Sequence, residues 1–296
     1  MRYQRFAASR SSPFPRGLHY DPDFIGASDR AEILAWLATI HPIWERRYPT
    51  TRPVPPGRTQ RWLLRPVYWL GNWQFACLDY YHPPKGILHR CVRAEPYPPV
   101  LRRLVADAEA IARRLYRGPD MPGGWHLNTC LVNFYGSRIE GDRRIDTARV
   151  GEHKDFEPGP VASLSLGARA FFQFVSGRTR ERAGVAFQQW LDDGSLQIFG
   201  GDRWKRQLFH RVQRVDRKGG PSDAGGAFDL HTDRFETRRV NFTFRYVPDE
   251  HLLRYAELPA AAAADVREYM EQLARHSPFF RRELEARGNE GARPRS

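Results

Sequence analysis

His153 and Asp155 stand two residues apart, and His210 follows 57 residues after the first histidine. Two imidazoles and one carboxylate can occupy one face of an octahedral metal, a ligand set that suits non-heme Fe(II) and leaves three positions open. Three open positions accommodate a bidentate 2-oxo acid together with dioxygen. The segment Arg239-Val240-Asn241-Phe242-Thr243-Phe244-Arg245 offers a counter-group for such an acid. The planar fork of an arginine grips a carboxylate through two parallel hydrogen bonds.

These residues need strands to position them. On a strand, residues two apart project to one face, so His153 and Asp155 can bind one metal. The separation of His210 suits a jelly roll, where strands distant in sequence face each other across the core. Among ten histidines an HxD pair also arises by chance; the alternatives are a surface His153 and a hydrogen-bonded core His210. Arg239, Asn241, Thr243 and Arg245 alternate and therefore share a face. Two arginines inside a barrel are costly unless paired, and a bound dianion is the economical partner.

Periodicity supplies the strands. Residues 18–25 read as a short strand, and Ser28 or Asp29 can cap a helix carrying Ile33, Leu37 and Ile40, ended near Pro42. Residues 48–99 are rich in Pro, Arg and aromatics and show no clean period. A second amphipathic helix is predicted over 99–116, with Leu101, Leu104, Val105, Ala108, Ile111 and Leu115 in one stripe. From Asn128 onward short apolar runs alternate with turn residues: LNTCLVNFY, VASLSL, AFFQFV, VAFQQWL, SLQIF, LFHRVQRV and RRVNFTFRYV. Such a series predicts an all-β sandwich or barrel. A helical tail is expected over 259–285, with disorder over 286–296.

At 296 residues and 41% hydrophobic composition the chain can bury one large core, and a single enlarged domain is expected. Lys and Arg number 47 against 34 acids, a formal charge of +13 that fits an anionic partner such as nucleic acid. The plainer reading is an Arg-rich, Pro-rich proteome in which every protein is basic. Cys77, Cys91 and Cys130 show neither a disulfide framework nor zinc-like spacing, which points to a reducing cytosol. No run approaches the roughly 18 apolar residues of a membrane span. Residues 1–16 carry four arginines and no acid; a flexible basic arm is expected, with a transit peptide as the alternative.

The motifs stand in an order with meaning of its own: GLHYDPDFI, the first helix, CLVNFYG, HKDFE, SLSLGARAFFQF, LQIFGGDRWKRQLFHRV and RVNFTFR. Over residues 17–247 the chain resembles the AlkB family of Fe(II)/2-oxoglutarate dioxygenases. The resemblance implies an α+β, mainly β fold: a double-stranded β-helix (jelly roll) core with N-terminal helices and an extra C-terminal helix. It divides the chain into the arm at 1–16, a dioxygenase domain at 17–250 and a helical tail at 251–296. Within that domain, 17–125 holds helices and substrate recognition and 126–250 the jelly roll.

By the same resemblance His153, Asp155 and His210 are iron ligands. Asn133 and Tyr135 contact 2-oxoglutarate, Arg245 binds its distal carboxylate, Arg239 sits near its proximal end beside Asp155, and Asn241 is a further contact. The implied reaction uses Fe(II), 2-oxoglutarate and O2, yields succinate and CO2, and oxidises a substrate C–H bond. Where that carbon sits on nitrogen, the hydroxylated product releases an aldehyde.

The resemblance makes alkylated DNA or RNA the expected partner of a monomeric, cytoplasmic enzyme that does not engage membranes. The alternatives are the same chemistry on tRNA or a protein side chain, and a noncatalytic nucleic-acid-binding relative. Glu157 completes HxDxE and can face the edge of a base; it can equally support the metal site or face solvent. Tyr68, Trp69 and Trp73 are candidates for a platform under a flipped base, or core. The stretches SRIEGDRRIDTARVGE and DRKGGPSDAGGAFDL are each long enough for a substrate lid. The turn Asp202-Arg203-Trp204-Lys205-Arg206 reads as a phosphate-contacting edge or a solvated loop.

Overall fold

The computed structural model describes residues 14–47, 61–74, 91–177, 184–213 and 228–291. In chain order it runs β1 (Leu18–Asp21), α1 (Ala27–Leu37), β2 (Arg46–Arg47), β3 (Arg61–Trp62), β4 (Val67–Leu70), β5 (Asn72–Trp73), β6 (Cys91–Arg93) and α2 (Pro99–Leu115). There follow β7 (Thr129–Glu140), β8 (Arg143–Asp146), β9 (Val150–His153), β10 (Val161–Gly167), β11 (Ala170–Val175), β12 (Val185–Leu191), β13 (Leu196–Phe199), β14 (Phe209–Gln213) and β15 (Phe235–Arg245). The chain closes with β16 (Leu252–Leu253), α3 (Ala260–Ala274) and α4 (Pro278–Gly291).

Two antiparallel sheets make the jelly roll. The larger has the order β1-β13-β10-β15-β7-β4, with β8 folded back on β7; the smaller has the order β12-β11-β14-β9. Strand β15 has the sidedness its alternation demands. Val240, Phe242 and Phe244 are buried in the cluster that also holds Leu101 and Leu104 of α2. Arg239, Asn241, Thr243 and Arg245 lie on the opposite face, toward the smaller sheet. A second apolar cluster lies at the smaller sheet, where Phe172, Phe174 and Leu191 meet Leu18, Val161, Phe199, Trp204 and Leu208. Gly136 is required where β7 meets the bulge in β15: a Cβ there would come within 1.8 Å of the Glu236 carbonyl oxygen.

Several expectations shift. The cap of α1 is Gly26, with no side-chain bond, and the helix starts before Ser28. Leu115, placed in the apolar stripe of α2, is exposed, and Val100 and Ala112 are buried in its stead. The expected single tail helix is two. Pro278 cannot continue α3 but starts α4 well, because its missing N–H falls where a helix has no partner for it. Residues 286–291, expected to be disordered, continue α4. Residues 1–13, 214–227 and 292–296 lie outside the described residues, so most of the arm, most of the Gly-rich loop and the end of the tail do too.

The helical pair belongs to the main core. Tyr269, Met270, Leu273 and Phe280 share a cluster with Tyr68, Trp69 and Trp73. At its edge the rings of His231, His41 and His276 form a parallel stack, with centroid spacings of 4.2 and 3.6 Å and 5° between planes. No helix among the described residues is long and apolar enough to cross a membrane.

Candidate metal and cosubstrate site

The three expected ligands converge. One ligand atom from each of His153, Asp155 and His210 lies within 4.8 Å of the others. His153 ends β9 and His210 lies in β14, and the two are register partners. They are thus cross-strand neighbours of the smaller sheet, not residues facing each other across the core. His153 Nδ1 is 2.8 Å from the Gly151 carbonyl oxygen. A proton donated there leaves Nε2 as the lone-pair donor, the usual way in which a ligand imidazole is oriented.

Asp155 has its two oxygens divided. Arg245 holds Oδ1 through Nε and Nη2, each at 2.9 Å. Oδ2 is 3.4 Å from His210 Nε2 and has no hydrogen-bond partner. Burial would raise the proton affinity of this carboxyl, but Arg245 first, then His210, His153 and Lys205, hold it well below the ordinary carboxylate range. Burial, seconded by His153, pushes His210 down to about 3 against the pull of Asp155. Burial also lowers His153. Two neutral imidazoles beside an ionised carboxylate with a spare buried oxygen are the protonation states a divalent metal requires.

The two arginines exchange their expected places. Arg245, not Arg239, neighbours Asp155, and its Nε is 3.2 Å from Glu157 Oε1. The reason is register. Arg245 lies at the end of β15 opposite Thr129, whereas Arg239 is six residues back, opposite Tyr135. Arg239 is 4% exposed and bonds Ser165 Oγ at 3.0 Å. Its guanidinium carbon stands 4.9 Å from the Tyr135 ring centre, while Nε and Nη1 have no partner. A buried cation with two idle donors fits a carboxylate.

Asn133 Oδ1 accepts from Arg65 Nε at 2.7 Å. Asn241 departs from its expected role. Its Nδ2 donates to Ser163 Oγ and to the Leu164 carbonyl oxygen, each at 2.8 Å, and its Oδ1 accepts from Thr243 at 2.9 Å. With both amide protons committed to β10, it has no donor left for a cosubstrate.

The substrate candidates are corrected too. Glu157 is buried, accepts from Gln74 Nε2 at 3.1 Å and braces Arg245, which makes it a support for the metal site. Trp69 and Trp73 are buried and donate their indole N–H groups to one oxygen of Glu45, at 2.6 and 2.7 Å. Tyr68 is buried and bonded to Glu95. None of the three offers a face to a base: all are buried, and Tyr68 and Trp73 pack against Phe280 of α4 and Trp73 also against Tyr269 of α3. The stretch at 137–152 is regular structure, forming the end of β7, the β8 hairpin and the approach to β9.

The turn read in the sequence as a phosphate-contacting edge or a solvated loop, together with residues not singled out there, completes the site. Asp202–Gln207 is a π-helical turn that buries Trp204 and Lys205. Lys205 Nζ donates to the carbonyl oxygens of Glu157 and, at 2.9 Å, Gly159, pinning the loop after the HxD pair. Burial lowers its pKa against the pull of Glu157 and Asp155. Phe156, between two buried acids, is 48% exposed. Arg65 came from the segment without a period; only its proximity to the Asn133–Tyr135 strand marks it.

Comparison with known proteins agrees with this geometry. A search of curated proteins finds no match. Among solved structures the chain is similar to one described as the structure of OsALKBH1, at 24% identity, 79% of this chain, 99% of that chain and a TM-score of 0.47. It is also similar to YcfD, a ribosomal oxygenase from Escherichia coli in complex with cobalt and succinic acid, at 13% identity, 62% and 46% coverage and a TM-score of 0.26. A bsmA homolog from Methylobium petroleophilum matches at 12% identity, 79% and 89% coverage and a TM-score of 0.37. These likenesses are distant. The family model for the 2OG-Fe(II) oxygenase superfamily, by contrast, matches residues 17–245, ending on the arginine that holds Asp155. The chain therefore belongs to the 2OG-Fe(II) oxygenase superfamily, with Fe(II) as its metal and 2-oxoglutarate and O2 as its cosubstrates.

Proposed function

We propose that this chain is an AlkB-like dioxygenase that oxidatively dealkylates N-alkylated bases in DNA or RNA. The reading rests on the ordered motifs from GLHYDPDFI to RVNFTFR, with HxDxE between them. Its structural support is the rim beside the triad. His153 and Asp155 turn inward, and the residue after each turns out: Lys154 lies over the Phe209 ring at 4.4 Å and bonds the Arg206 carbonyl oxygen, and Phe156 is exposed. Arg203 and Arg206 are exposed on the adjoining π-helical turn. An apolar ring among cations suits a base together with its phosphates.

In this reading the triad holds the metal, which supplies oxidation of a substrate C–H bond coupled to decarboxylation of 2-oxoglutarate. Arg239, Ser165 and Tyr135 take the distal carboxylate at the closed end. Arg245 occupies Asp155 Oδ1 and leaves Oδ2 as the oxygen that would take the metal. Asn133 keeps its Nδ2 protons for the ligand. Residues 17–250 form the dioxygenase unit, with 17–125 the substrate-facing part, and α3 and α4 are a buttress behind it.

Release of formaldehyde and succinate from oligonucleotides carrying 1-methyladenine or 3-methylcytosine, in DNA and in RNA, tests the proposal. Coupled release of both products from one oligonucleotide supports it and names the base. Succinate without formaldehyde on every member of the panel refutes dealkylation of these bases and turns the search to tRNA hydroxylation or protein side chains. Salt-dependent binding with neither product favours a noncatalytic nucleic-acid-binding relative.

A further inference from the structure

A second guanidinium stands over the cosubstrate pocket. Arg65 precedes β4 by two residues, where Val67 is paired with Asn133 and the Pro66 carbonyl oxygen accepts from the Phe134 N–H. That pairing lays Arg65 along the inner side of β7. Its Nε donates to Asn133 Oδ1 at 2.7 Å, and its guanidinium carbon lies 4.7 Å from the Tyr135 ring centre. Arg239 stands 4.9 Å from the centre of the same ring. One phenol thus carries two guanidinium groups, one on β15 and one ahead of β4.

Like charges drawn to one ring repel each other unless an anion joins them. Among the described residues no carboxylate forms an ion pair with Arg65 or with Arg239, although 34 acids are distributed along the chain. Burial first, with Arg65 among the smaller causes, lowers the pKa of Arg239. The polar neighbours of Arg65, Asn133 and Tyr135, are both residues of the cosubstrate site.

We propose that Arg65 is a specificity-determining residue of the cosubstrate site, pairing with Arg239 across Tyr135 so that the pocket selects a 2-oxo acid bearing a second carboxylate. Arg239 is the direct partner of that carboxylate. Arg65 adds the second charge and holds Asn133 and Tyr135 in place. The proposal rests on Arg239 taking the distal carboxylate.

The test is ligand binding by calorimetry to the Co(II)-loaded full chain, with 2-oxoglutarate and with 2-oxopentanoate, the five-carbon 2-oxo acid lacking the distal carboxylate. Arg65→Gln is expected to weaken 2-oxoglutarate roughly tenfold or more, the scale of one charge-assisted hydrogen bond, while 2-oxopentanoate changes little. Arg65→Lys is expected to restore part of the preference, since it keeps the charge and loses the fork. Equal weakening of both acids by Arg65→Gln, at an unchanged thermal midpoint, would overturn the proposal and leave Arg65 a structural prop. Unchanged 2-oxoglutarate binding with lost oligonucleotide binding would also overturn it and place Arg65 with the substrate. Arg239→Gln separates the two levels: if it leaves the preference for the dicarboxylate intact, the underlying assignment of Arg239 fails; if it alone abolishes the preference, only the role of Arg65 fails.

Discussion

His153 and His210 are register partners on adjacent antiparallel strands, and their ring centroids lie 4.1 Å apart. Neither imidazole can be replaced by the other's movement, because each is fixed by its own strand. His210→Ala is expected to abolish iron-dependent succinate release and to remove high-affinity Co(II) binding. Full turnover in that variant would sink the ligand assignment.

The division of labour between the two arginines gives a paired prediction. Arg245→Met frees Asp155 and is expected to weaken Co(II) binding on the order of tenfold to a hundredfold, the usual consequence of losing a ligand's support. Arg239→Met is expected to leave Co(II) affinity near wild type and to raise the dissociation constant for 2-oxoglutarate. Metal titration followed by cosubstrate titration reads both. Identical phenotypes for the two variants would contradict their separation along β15.

Trp73→Ala is expected to cost about 3–5 kcal/mol of stability, the ordinary result of emptying a large aromatic site in a packed core. It also strips a donor from buried Glu45. Urea unfolding monitors the loss. A change in oligonucleotide binding with unaltered stability would instead revive Trp73 as a substrate contact.

Acid should loosen the histidine stack. Burial first, then His276 and His231, lowers the pKa of His41 below its ordinary 6.5. The unfolded chain therefore takes up a proton near pH 6.5 that the folded state resists, so folding free energy is lost as pH falls through that value. Asp233, Glu268, Glu271 and Arg275 line the same cleft and temper the effect. His41→Phe keeps a stacked ring and loses the titration. Between pH 7.5 and 5.5 its melting temperature should fall less than that of the wild type; an equal fall would exclude His41 as a source of acid sensitivity.

The sequence revealed the strands from Asn128 to Val247 because each alternates or runs apolar between turn residues, and it revealed the triad because the HxD pair, which alone arises by chance, stands in order with His210 and the arginines of RVNFTFR. It did not reveal which arginine meets Asp155. Alternation places Arg239 and Arg245 on one face but is silent on which end of that face the metal occupies; only the pairing of β15 with β7 decides it. For Tyr68, Trp69 and Trp73 the sequence offered the core as one of two readings, and all three are buried. What no local pattern announces is the cover that Tyr269 and Phe280, about 200 residues on, place against Trp73. Arg65 was hidden likewise, since its partners lie on β7.

Glu45 ties these distant pieces together. It is buried, receives the indoles of β4 and β5, and precedes Arg46, whose backbone N–H donates to the Tyr269 hydroxyl of α3 at 2.8 Å. Phe280 of α4 closes over Trp73 with ring centres 5.7 Å apart. The piece of chain that the family model recognises stops at Arg245, yet the piece that must fold together does not. An expression fragment trimmed to the recognised boundary would keep every ligand of the metal and lose the lid of its own hydrophobic core.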